Sequence, residues 1–102
     1  METKVLNEIT IDDFKSLLNN KFDITFSENI TLGADLIEVL ELRGYSVSDR
    51  GPFSLVFRTE LKSEYYNQGI YKISHPIKGE IEVFMVPIGV DKKGIKYEVV
   101  FS

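Results

Sequence analysis

The spacing of strand-like runs in the second half of the chain constrains the fold more than any other feature. Phe53–Arg58, Gly69–Ser74, Glu80–Ile88 and Ile95–Phe101 all have β-strand composition and are separated by short segments carrying turn residues. Strands this close in sequence are expected to pair as hairpins, so Pro52 to Phe101 reads as an antiparallel meander. Phe53, Leu55 and Phe57 share one face, with Ser54, Val56 and Arg58 opposite. Glu80 and Glu82 alternate with Ile81 and Val83, placing the acids outward. From Phe84 to Ile88 both faces are apolar, and that end is expected to be covered on both sides by an amino-terminal helix. Pro87 has no N–H to give a ladder, so an edge or a bulge is expected there. Asp91-Lys92-Lys93-Gly94 reads as a hairpin turn, with Gly94 supplying a positive φ.

The first half is more mixed. Thr10 followed by Asp13 resembles a helix-capping pair, and Asp12 and Asp13 suit the positive end of a helix dipole. Ile11, Phe14, Leu17 and Leu18 then form one apolar stripe, which predicts a helix over 10–20 that docks on the sheet. Phe22, Ile24 and Phe26 alternate with polar residues as a half-buried strand. Glu28 to Gly33 reads as loop, and Asp35–Arg43 as a strand, although its apolar spacing fits a helix as well. The fold class expected is therefore α+β. One helix packs on a curled, mainly antiparallel six-stranded meander, as a small open barrel or two-layer sandwich. A length of 102 residues fits a single domain, 1–102, with a β-rich part over 22–101.

Composition excludes several activities. There is no cysteine, so disulfides, thiolate metal sites and cysteine nucleophiles are absent. Sixteen acidic against twelve basic residues give a net charge of −4, which disfavours binding to nucleic acid or anionic membrane. The small basic group Lys92, Lys93 and Lys96 straddles a turn and reads as a solvated hairpin tip. With no apolar leader after Met1 and no run of transmembrane length, a soluble cytoplasmic protein is expected.

His75 is the single histidine, and no metal-ligand spacing surrounds it. Before Pro76, it reads as a turn residue hydrogen-bonded to nearby backbone. Glu80, Glu82 and Glu98 read as a solvated face with Lys72 or Lys96 as cross-strand partners. Arg58, Gln68 and Tyr71 would form a polar rim if their strand ends converge, suited to an anion or to bracing the rim. Tyr45, Tyr65 and Tyr66 lie in the two long connections, where tyrosine supplies rigid contact area for a partner or covers the sheet ends. No catalytic set, metal site or cofactor motif is expected.

Several motifs also carry a resemblance when taken in order. They are Phe53-Ser54-Leu55-Val56-Phe57-Arg58, Gln68-Gly69-Ile70-Tyr71, His75-Pro76, Gly79, Phe84-Met85-Val86-Pro87-Ile88-Gly89 and Tyr97-Glu98-Val99-Val100-Phe101. The chain from about Phe14 onward resembles the DUF6916 family of small bacterial domains of unknown function. The resemblance implies no established activity, and it implies a setting beside phage-tail-like or tail-fibre proteins. The reading that results is a non-enzymatic interaction or assembly module with a protein partner or self-association. The alternative is a small-ligand binder with a pocket inside the curled sheet.

Overall fold

The computed structural model describes residues 9–42, 51–61 and 65–101. Six strands follow one helical turn, α1 (Asp12–Lys15): β1 (Lys21–Ser27), β2 (Ile30–Glu41), β3 (Phe53–Thr59), β4 (Gly69–His75), β5 (Gly79–Val90) and β6 (Ile95–Phe101). They close into an antiparallel barrel in the order β1-β2-β3-β6-β5-β4, with β4 pairing back onto β1. The α+β expectation is therefore corrected: the fold is almost entirely β and the barrel is closed.

The meander is corrected as well. β3 and β4 are consecutive but do not pair; β3 instead pairs with β6 from Phe53↔Phe101 to Arg58↔Lys96. Strands 4-1-2-3 then lie in Greek-key order. Closure removes the sheet edges that an open meander would leave exposed. The β1–β4 seam is the shortest, with only Asp23–Thr25 paired to Lys72–Ser74.

The helix predicted over 10–20 shrinks to one turn because the sheet claims its backbone. The Asn19 N–H donates to the Leu36 carbonyl at 2.7 Å, and the Leu36 N–H donates to the Asn20 carbonyl at 3.0 Å. Asn19 turns the chain with φ at 71°. Of the apolar stripe, only Phe14 is fully buried, Leu17 is half-buried and Leu18 is exposed. Half of the capping pair forms: the Asp13 carboxylate accepts the Thr10 N–H at 2.8 Å, but the residue at the N-cap is Ile11 and no side chain caps the turn. The helical turn plugs one end of the barrel rather than covering a wall, with Phe14 against Phe22, Phe53 and Phe101.

Interior positions follow the two-residue period of each strand. Phe22, Ile24 and Phe26 come from β1, and Phe53, Leu55 and Phe57 from β3. Ile81, Val83 and Met85 come from β5, and Ile95, Tyr97, Val99 and Phe101 from β6; all are buried. These side chains fill the barrel, as expected for so few strands.

Local irregularities explain the remaining departures. β2 begins at Ile30, so most of the segment expected to be loop is strand, and Asp35 to Glu41 continues it. The register shifts between Pro87 and Gly89, which places a bulge where Pro87 has no N–H to offer. Gly94 has the expected positive φ, 158°, and is required for closeness as well: a Cβ there would fall 1.5 Å from the Thr59 carbonyl oxygen.

Candidate interaction surface

The polar groups singled out in the sequence are largely committed to the fold. The His75 ring is buried against Phe14, edge-on at a centroid distance of 5.2 Å. Its Nδ1 accepts the Ile77 and Lys78 N–H groups, each at 3.0 Å, and its Nε2 lies 2.6 Å from the Asp13 carbonyl. Two donors at Nδ1 assign the proton to Nε2, which then donates to Asp13. One imidazole thus ties α1 to the β4–β5 turn, a bond of 62 residues' separation that the reading as a local turn residue did not foresee.

Arg58 does not meet Gln68 or Tyr71; β3 and β4 lie three strands apart around the barrel in either direction. Its guanidinium pairs with Asp91 at 3.0 Å and braces the β5–β6 turn. The Lys93 N–H, followed by Arg58 and the Gly94 N–H, holds the Asp91 carboxyl below its ordinary range. Gln68 is exposed, and Tyr71 donates its hydroxyl to the Asn67 carbonyl at 2.5 Å.

The tyrosines divide. Tyr45 lies outside the described residues. Tyr65 is 62 % exposed. Tyr66 closes the end of the barrel opposite α1, stacked on Phe26 at 4.4 Å, with its N–H donated to the Tyr97 hydroxyl at 2.9 Å. Tyr71 joins the same aromatic layer, 6.5 Å from Tyr66. Burial pushes the Tyr97 phenol above its ordinary value. Of the predicted residues that are described, Tyr66 and Tyr71 come together, as lining of the barrel end.

The outer wall supplies what the sequence reading missed. Ile70 on β4 sits directly across from Phe84 on β5, and both point outward, 67 % and 52 % exposed. Val100 on the outer face of β6 is exposed as well. The next outward pair along the hairpin is Lys72 across from Glu82, both exposed. An open groove beside them runs along the β1–β4 seam and includes Thr25, Ser27 and Tyr71. The expectation that a helix covers Phe84 to Ile88 is thus corrected. α1 occupies a barrel end, and Phe84 and Ile88 remain open on the wall. The signal was present in the sequence as the doubly apolar run, but it was read as a covered surface.

The family model for a domain of unknown function, DUF6916, matches residues 9–101. The chain belongs to this family. The DUF6916 match begins at Ile9 and ends at Phe101, the first and last residues of the buried core, so it spans the whole barrel with its plug. No curated protein and no solved structure matches the chain. Among the described residues, no helix is long and apolar enough to cross a membrane, and no three His, Asp or Glu side chains gather as a metal-binding set.

Proposed function

We propose that this domain is a non-enzymatic, cytoplasmic protein-interaction or assembly module whose docking face is the outer wall of β4, β5 and β6. The observation that carries this reading is the Ile70–Phe84 pair. Folding buries the inward residues of these strands, but it places no demand on the outward ones. Large apolar side chains side by side in water are the surface chemistry of contact with another protein. His75 and Arg58 support the same reading, since both are engaged in holding the barrel together. Tail-like or fibre proteins are the partner class that the family resemblance implies.

A photo-crosslinking phenylalanine analogue at position 84, in the chain expressed in its source cells, tests this reading. A discrete protein adduct is expected from position 84, and none from the same group placed at Thr31, an exposed residue of β2 paired with Thr25. Equal, diffuse labelling from both positions overturns it.

A further inference from the structure

Resting on that reading of the wall, we propose that the partner is a second copy of this chain, docked face to face through the β4–β5 hairpin about a two-fold axis. The argument is one of self-complementarity. Take an axis that lies between β4 and β5, parallel to the strands. A half-turn about it sets each β4 residue opposite the β5 residue that is its own cross-strand partner. Ile70 is paired with Phe84 and Lys72 with Glu82. The rotation therefore lays Phe84 of one copy on Ile70 of the other, twice, and Glu82 of one copy on Lys72 of the other, twice. An isologous interface requires this reciprocity, in which residue i meets j while j meets i.

The charges favour this occupant over an unrelated partner. Lys72 and Glu82 are both exposed, and neither has an ion-pair partner among the described residues. In the dimer the four charges alternate in sign around a square beside the apolar centre, so every lysine has two glutamates as neighbours. A wall carrying one sign of charge would repel its own copy; this one attracts it. Two strands from each copy make a small interface, so the dissociation constant is expected between about 10 µM and 1 mM.

Sedimentation of the purified full chain from about 1 µM to 1 mM provides the test. Wild type is expected to pass from monomer to dimer. Lys72→Glu places four carboxylates together, and Glu82→Lys places four ammonium groups together, so each variant alone is expected to weaken the dimer about tenfold or more. Mixed in equal amounts, the two variants are expected to form a heterodimer, because each copy then meets its opposite charge at both positions. That rescue cannot arise from a folding defect, and unchanged circular dichroism spectra of the single variants check the point. A wild type that stays monomeric throughout overturns the inference, as does a dimer indifferent to both substitutions or a mixture that fails to associate. A monomer that still gives a discrete adduct with another protein from position 84 would overturn the second copy while leaving the docking wall standing.

Discussion

The two hairpins that meet at the β1–β4 seam present different outer faces. Beside the seam, the outward residues of the β1–β2 hairpin include Asp23, Thr25, Ser27 and Thr31, with the Thr25 and Thr31 hydroxyls sharing a hydrogen bond at 3.1 Å. Its exposed apolar side chains, Ile30 and Leu40, stand at the two ends of β2 and are not paired with each other. On the β4–β5 hairpin the outward face carries Lys72 and Glu82 and then turns apolar at Ile70 and Phe84. Their inner faces are alike: Phe22, Ile24 and Phe26 on one, Ile73, Ile81 and Val83 on the other, all buried. The same barrel thus tolerates a polar exterior on one hairpin without loss of closure. Barrel closure therefore does not account for the apolar exterior of the other, and the proposed docking face is placed there for that reason. The comparison breaks if outer residues prove as costly to replace as inner ones, and the substitutions that follow run from the largest expected effect to the smallest.

Phe14 is the inner extreme. It is fully buried and touches Phe22, Phe53, His75 and Phe101. Phe14→Ala should cost about 3–5 kcal/mol of stability, read from urea unfolding, because it opens a cavity at the plugged end. A loss below about 1 kcal/mol would mean that the plug is not part of the cooperative core. His75→Phe separates packing from hydrogen bonding at the same place. It keeps a ring beside Phe14 but leaves the Asp13 carbonyl and two N–H groups without their partner, for an expected loss of about 2–3 kcal/mol.

These two residues also show how far the sequence was legible. The strands were readable because their alternation is local: Phe53 to Phe57 and Glu80 to Val83 show their two faces to anyone counting by twos. Closure was not readable, because pairing β3 with β6 rather than β4 is decided by which arrangement leaves no edge exposed. The helix was over-read because the stripe of Phe14, Leu17 and Leu18 has helical spacing. What ends it is a pair of hydrogen bonds to Leu36, far along the chain. Phe84 was recognised as apolar on the second face. Its exposure could be known only once the one helical turn was located elsewhere.

The end closed by Tyr66 responds to alkaline pH. The Tyr97 phenol is raised chiefly by burial, so the folded state holds its proton more tightly than the unfolded chain does. The contribution is therefore fully present below the ordinary tyrosine value of about 10, and it is lost as pH rises through the higher folded value. Lys21 is raised too, first by its hydrogen bond to Glu60, and has the same sign. Thermal midpoints should be flat approaching pH 10 and fall above it. Tyr97→Phe should flatten that fall while losing about 1 kcal/mol at neutral pH with the Tyr66 hydrogen bond. An unchanged alkaline limb in Tyr97→Phe would assign the effect to other groups.

Phe84→Ser gives the smallest expected effect and the sharpest contrast with Phe14. Phe84 is about half exposed and loses only its contact with Ile70 across the hairpin, so well below the dissociation constant of the proposed dimer the change should cost less than about 1 kcal/mol. At high concentration the two proteins should part. Association binds only the folded chain, so it raises the wild-type midpoint as concentration rises, and Phe84→Ser should show no such rise. The slope of midpoint against concentration therefore separates the two faces of one hairpin. An inner residue shifts the curve at every concentration, whereas an outer one changes only its slope. If Phe84→Ser shifts the curve at low concentration as much as Phe14→Ala does, the outer wall is part of the folding core and the contrast between the hairpins is lost.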